Sequence, residues 1–315
     1  MSRERALALG AVAISSILWG TTGTAATFAP GAGPLAIGAF ALGIGGILQA
    51  LVAIPALRAA RSQLRRNRPT VVLGALAVAV YPLAFYSSMH LAGVALGVVA
   101  SLASAPLASG VIERIVERTP LSPWWLSAAG LGIVGSALLC FSKLTSAPEE
   151  LAATLLGIGL GLVAGTTYAV YSWCAQRLMV SGVSRSASMG AIFGWGGTLL
   201  LPVVCVTGAP LIAGLPTLSV ALYMALVPMF LGYLLFGYGL ARLPVSTVTT
   251  LTLSEPAITT VLAVLVVGER LSLLGWSGLG LIALSLVVLV CAPASQVSRP
   301  GRAPTPRTAE QPVSS

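Results

Sequence analysis

Glu255 is the residue with the most chemistry to offer. It stands with Pro256 inside "TLSEPAITTVLAVLVVGERLS", residues 252–272, one of the most apolar stretches of the chain. An acidic group near the centre of a bilayer costs on the order of 3 kcal/mol, so it belongs in a bundle interior or a watery cavity. At about 100° per residue, Thr249, Thr252, Glu255 and Thr259 fall within roughly 120° on one helix face. They make a polar stripe on a helix otherwise built of Leu, Val and Ala. Desolvation favours the protonated acid in such surroundings, which suits a carboxyl group that takes up and releases a proton, or binds a cation, once per cycle. The structural alternative is that Glu255 hydrogen-bonds a neighbouring helix and orders the bend at Pro256. Its counterpart in an internal repeat described below is Ala105, so the fold itself does not demand a carboxylate there.

Aromatic residues near the middles of apolar segments form the next group: Trp19, Tyr86, Tyr168, Trp173 and Tyr238. Broad aromatic faces with one polar tip can wall a midplane cavity, or they can simply fill a core. Pro106 and Pro256 each remove a helical hydrogen bond and crowd the preceding turn, and so read as paired hinges or as static kinks. His90, the only histidine, falls at a segment end and reads as a surface or cap residue. The four cysteines are scattered without CxxC spacing and read as small core residues, not as a metal or disulfide framework.

Enzymatic chemistry finds little to work with. The chain has no aspartate, a single histidine and a single lysine, Lys143. An aspartyl protease and an HExxH zinc site are thereby excluded, and so is a GxxxxGK[ST] nucleotide loop. No catalytic residue, cofactor, metal or ATPase partner is expected.

The elements that must position Glu255 follow from composition. Hydrophobic residues make up 57% of the 315 and charged residues 8%, with a mean hydropathy of +0.96. A soluble domain carries roughly 25% charge, so most of this chain lives in a bilayer. A span needs about 20 apolar residues, and ten segments qualify: 6–29, 34–57, 70–90, 93–112, 123–142, 151–176, 187–209, 217–241, 244–267 and 274–293. With the N-terminus in the cytoplasm, fifteen of the seventeen Arg and Lys fall on that side, leaving only Lys143 and Arg270 outside. That split follows the positive-inside rule and puts both termini in the cytoplasm. It also accounts for the net charge of +9 without nucleic acid. The cluster "RAARSQLRRNR" reads as a topology anchor, with an anionic-lipid site as its sharper alternative. Residues 294–315, rich in Pro, Ser and Thr, are expected to be a disordered tail.

Internal repetition sets the architecture. At an offset of 152, Tyr86 matches Tyr238, Leu91 matches Leu243, Glu117-Arg118 matches Glu269-Arg270 and Trp124 matches Trp276. "SAP" at 104–106 meets "SEP" at 254–256, and "GTT" at 20–22 meets 165–167. A tandem duplication of five spans forces the second copy to enter the membrane from the opposite side. The result is an inverted repeat, the signature of alternating-access transporters.

"VSTVTTLTLSEPAITTVLAVLVVGERLSLLGWSGLGLIALSLVVL", with "LWGTTG" near the start and "ERTPLSPWWLSAAGLGIVGSALL" closing the first half, resembles the EamA type of the drug/metabolite transporter superfamily. The likeness covers about residues 6–293 and is most specific at Pro256, Gly268, Glu269 and Gly280. It implies an all-α integral membrane protein of ten helices in two EamA repeats, residues 1–143 and 151–293. It also implies export of a small metabolite, with the "SEPA" string pointing toward amino-acid-like cargo. A proton-coupled secondary transporter in a bacterial plasma membrane is the expectation. An uncoupled facilitator or channel and a multidrug exporter of the same fold remain alternatives. Expected partners are the solute, membrane lipid and protons; no nucleic acid is expected. The expected site is Glu255, Thr252, Thr259, Trp19, Tyr86, Tyr168 and Tyr238, with Pro106 and Pro256 as hinges.

Overall fold

The computed structural model describes residues 3–26, 28–29, 31–92, 94–141, 151–262, 264–265 and 272–292. The 294–315 tail, Lys143, Gly268, Glu269 and Arg270 lie outside them. Among the described residues there is helix and no strand, as a bilayer requires of a chain that must satisfy each backbone N–H and C=O within its own segment.

Among the described residues, eight helical stretches are long and apolar enough to cross a membrane: Arg3–Thr22, Pro34–Val52, Arg68–Ala92, Gly97–Ile115, Leu151–Val180, Arg185–Thr207, Leu215–Leu240 and Leu273–Cys291. They lie in helices α1 (Arg3–Ala26), α2 (Pro34–Val52), α5 (Arg68–Ala92), α6 (Val94–Ile115), α8 (Leu151–Val180), α9 (Arg185–Thr207), the composite α10 (Leu215–Met224) to α11 (Gly232–Leu240), and α14 (Leu273–Cys291). Short helices α3 (Ile54–Ala59) and α4 (Arg61–Arg66) link α2 to α5. The fifth expected segment is α7 (Pro123–Phe141), which contains a shorter apolar run, Pro123–Leu139.

The ninth expected segment is divided into α12 (Val245–Leu251) and α13 (Ser254–Leu262). Pro256 supplies the physical reason: its ring crowds the carbonyl four residues back, that of Thr252, and it offers no N–H. The Thr252 carbonyl takes the Glu255 N–H instead (3.0 Å), and Leu253 N–H takes the Thr250 carbonyl (3.1 Å), a tightened turn that ends α12. Pro106, by contrast, sits inside an unbroken α6. The two expected hinges are therefore structurally unequal.

Pro228 produces a third response. A π-helical turn, Ala225–Leu231, absorbs it between α10 and α11. The Gly232 N–H reaches the Val227 carbonyl, five residues back.

Helix packing pairs the two halves of the sequence. α2 lies along α9, and α7 along α14. α8 packs on α5 and α6, while α1 packs on α11 and on α13. Glycines allow these approaches. A Cβ on Gly135 of α7 would meet the Gly278 carbonyl at 2.8 Å, and one on Gly278 of α14 would meet the Gly135 carbonyl at 2.6 Å. Gly20 of α1 lies against Ile258 and the Glu255 carbonyl, and Gly165 of α8 lies against Ser104 and the Ser101 carbonyl of α6.

Candidate functional site

Aromatic side chains from five helices build a box at the centre of the bundle. α1 supplies Trp19, whose ring lies 4.8 Å from Tyr233 and 5.3 Å from Phe236 of α11. Tyr168 of α8 stands 5.7 Å from Tyr81 of α5 and 5.8 Å from Phe236, and Phe193 of α9 lies tilted, 4.4 Å from Tyr233. Pairs at these separations add to the stability that ring burial already provides. Several polar tips are paired: the Tyr171 and Tyr233 hydroxyls are 2.9 Å apart. The Trp19 indole N–H donates to the Pro228 carbonyl at 2.9 Å. That carbonyl is free for the purpose because the π turn sends the Gly232 N–H to Val227.

One side of the box encloses a cavity of about 40 Å³, bounded by Trp19 and Thr22, by Tyr81, Phe85 and Tyr86 of α5, and by Tyr168, Tyr233 and Glu255. A few water molecules fit such a space. The Tyr86 ring is seated on Gly38 of α2, where any Cβ would collide with it. Glu255 enters from the first turn of α13, directly after the break in the ninth segment. Among the described residues its carboxyl group forms no hydrogen bond or ion pair. Only its backbone is engaged, through Thr252 and Thr259.

The expected site residues are thus distributed unevenly. Glu255, Trp19, Tyr86 and Tyr168 line one cavity. The threonine stripe does not. The Tyr168 hydroxyl donates to Thr252 Oγ1 at 3.1 Å, Thr249 Oγ1 lies 2.7 Å from Ser109 Oγ of α6, and Thr259 Oγ1 donates to the Gly20 carbonyl at 3.1 Å. Each threonine ties the ninth segment to a different neighbour, because the turn at 252–253 interrupts the helical register that a single face requires. Tyr238 lies apart from the cavity, with the Arg242 guanidinium 3.7 Å and that of Arg185 5.3 Å from its ring centre. Trp173 also belongs to a bundle end, where its indole N–H donates to Glu117 at 2.9 Å.

Sequence reasoning passed over Tyr81, Phe85, Tyr233 and Met229, all of which line the cavity. The spacing of Tyr81 and Phe85, one helical turn apart at the centre of a span, was the available signal. Glu113 was also missed. It is nearly buried on α6 and accepts from Ser246 N–H (2.9 Å) and Ser246 Oγ (2.6 Å). The carboxyl group thereby caps α12, whose own N-cap, Pro244, has no capping side chain. Gln176 of α8 closes the preceding helix in the same way, donating to the Leu240 and Leu243 carbonyls at 2.8 and 2.6 Å. In the sequence Glu113 sits in the charged string "IERIVER", which reads as a solvated helix end.

Comparison with known proteins fits this geometry. Residues 155–291 match the EamA-like transporter family. An uncharacterized transporter of Bacillus subtilis (strain 168), YwfM, is 33% identical over 289 residues, which is 90% of this chain and 94% of that protein. An uncharacterized transporter of Clostridium kluyveri is 32% identical over 120 residues, 37% of this chain and 38% of its own length. A protein of known crystal structure superposes with a TM-score of 0.73 at 20% identity, over 89% of this chain and 95% of the other, a likeness of fold. A helical bundle with apolar spans and a near-full-length relative named as a transporter lead to one assignment: the chain is a multi-pass membrane protein and belongs to the EamA-like transporter family of the drug/metabolite transporter superfamily.

Proposed function

We propose that the protein is a secondary active transporter of the bacterial plasma membrane that exports a small amino-acid-like solute in exchange for protons. The observation that carries this reading is the Glu255 carboxyl group, which faces an aromatic cavity at the bundle centre without a fixed partner. A buried carboxylate must be neutralised. Either a proton or a solute ammonium can do so, and because each displaces the other, the group exchanges the two. Aromatic faces around it favour a cationic amine, and the Tyr81 and Tyr86 hydroxyls and Thr22 offer polar contacts to the rest of a zwitterion. Among the described residues the cavity is lined by no Arg or Lys, which agrees with a zwitterionic or neutral cargo and disfavours a polyanion.

Ten spans arranged as two inverted five-helix repeats, residues 1–143 and 151–293, belong to the same reading. Supporting it is the exchange relation in the packing. α2–α9 and α7–α14 pair each segment with its own expected counterpart, while α8 on α5 and α6 is matched by α1 on α11 and α13. The Gly20 and Gly165 contacts place the two "GTT" strings against the "SEP" and "SAP" strings respectively. Cytoplasmic termini follow from the distribution of basic residues.

Purified protein in proteoliposomes, screened with amino acids under an imposed pH gradient, tests the function. Proton-driven accumulation of a solute by the parent is expected to vanish in Glu255→Gln, and exchange between equal pools to weaken, because the solute ammonium loses its carboxylate partner. Accumulation by Glu255→Gln equal to that of the parent, with unchanged pH dependence, would remove Glu255 from the coupling. Counterflow separates the carrier from a facilitating channel, since only a carrier is accelerated by solute on the far side.

A further inference from the structure

A second and much larger concavity lies on the outside of the bundle, away from the aromatic box. It is a groove of about 860 Å³ between α2, α5 and α9, closed at one end by α3 and α4. Its floor is made of small residues, Ala50, Ala75, Gly190 and Gly194. Gly190 and Gly194 must be small, because α2 and α9 touch there: a Cβ on Gly194 would stand 2.5 Å from the Ala50 methyl. Its walls are Leu51, Leu76, Trp195 and Leu199, all exposed, with Trp195 at 63%.

The end of the groove is basic. Arg61, Arg65 and Arg68 line it, all three are exposed, and none forms an ion pair or hydrogen bond with a described residue. Leu57 and Leu64 line it with them, and that spacing is one stripe of a helix. Backbone bonds from Ala60 N–H to Ala56 and from Leu64 N–H to Ala60 carry helical register across the α3–α4 joint. The other two arginines of the cluster, Arg58 and Arg66, do not line the groove. A pure topology anchor needs only a count of charges near the membrane; it does not need three of five aligned on an apolar trough. From Arg68 to Leu76 the helix rises about 12 Å, which fits the roughly 15 Å of hydrocarbon in one leaflet.

We propose that this groove is a binding site for one anionic glycerophospholipid, with Arg61, Arg65 and Arg68 around its phosphate and an acyl chain along Leu51, Leu76 and Trp195. Charge complementarity selects the occupant: an apolar trough ending in three unpaired guanidinium groups matches a molecule with a phosphate at one end and hydrocarbon at the other. This inference is independent of the solute carried.

Quenching of Trp195 by bromine-labelled lipid tests it. The full chain is reconstituted in phosphatidylcholine vesicles containing a small fraction of either phosphatidylglycerol or phosphatidylcholine brominated at mid-chain. The Trp195 signal is the difference between each protein and the same protein carrying Trp195→Phe. Brominated phosphatidylglycerol is expected to quench at a mole fraction lower by about fivefold for each guanidinium engaged. Arg61→Gln/Arg65→Gln should cut the preference to the roughly fivefold that Arg68 alone supplies, whereas Arg58→Gln/Arg66→Gln, which removes the same charge from the same cluster, should keep the preference in full. Equal quenching by both lipids in the parent overturns the proposal, as does equal loss in the two double variants, the mark of general surface attraction. Absence of quenching by either lipid, expected if a second copy of the chain covers the groove, overturns it too.

Discussion

At the scale of single residues, the site depends on which polar groups have partners. Trp19 donates to the Pro228 carbonyl, so Trp19→Phe keeps the ring stack and removes one buried hydrogen bond. The expected cost is about 1–3 kcal/mol, because the carbonyl is left unsatisfied, read as a lower thermal unfolding midpoint in detergent. Glu113→Ala should destabilise by a similar ~1–3 kcal/mol, since Ser246 N–H loses its acceptor at the start of α12; Gln at 113 should restore part of it. Glu255, Trp19 and Tyr168 could be singled out in the sequence because an acid or a large aromatic is conspicuous in a run of Leu, Val and Ala. Tyr238 is equally conspicuous, yet it serves as a platform for Arg185 and Arg242. Arg242, four residues on, was the local sign of that role; Arg185 reaches the ring only through the fold.

Among elements, contact between helices is decided by glycines. Gly20→Leu should push α1 off α13, because its Cβ alone would stand 2.7 Å from Ile258 Cγ2. Overpacking of this kind costs about 1–3 kcal/mol, and transport should fall with it. Gly10→Leu, in the same helix with nothing within 4 Å of its Cβ, should change neither. Thermal unfolding of the two variants side by side checks the pair. Most helices were legible as apolar runs between charges or turn residues. The division of the ninth was legible only in part: Pro256 announced a disturbance, but not that α12 would end at Leu251 with Thr252 bonded to α8. A proline offers several outcomes. Here Pro106, Pro256 and Pro228 give an unbroken helix, a turn and a π segment.

For the whole molecule, the expected topology is open to a direct measurement. After replacement of the native cysteines, a cysteine at Gln63 should be shielded from an impermeant thiol reagent in intact cells, and one at Ala147 should be labelled. Labelling at Gln63 with protection at Ala147 would reverse the proposed orientation. The proposed duplication rests, in the sequence, on sparse matches such as "SAP" with "SEP". The pairing of α2 with α9 and of α7 with α14 was not visible there, because those contacts rest on glycine-rich surfaces whose partners no local pattern specifies.

The π turn around Pro228 bears on how the length of this chain can change. Removing one residue from a regular helix rotates everything beyond it by about 100°, which would carry Tyr233 and Phe236 out of the aromatic box. A π turn holds one surplus residue and can close to α geometry when one is lost. Deletion of Pro228 removes the surplus residue and the helix breaker together, so α11 should keep its face and the protein should fold. Trp19 would then lose its acceptor, since the carbonyl at that point returns to the helix. A deletion at Val220 or Gly237, in regular helix on either side, should abolish the folded protein. Stability and tryptophan emission of the three deletion variants would show whether this single turn is where a spanning helix of this protein tolerates the loss of a codon.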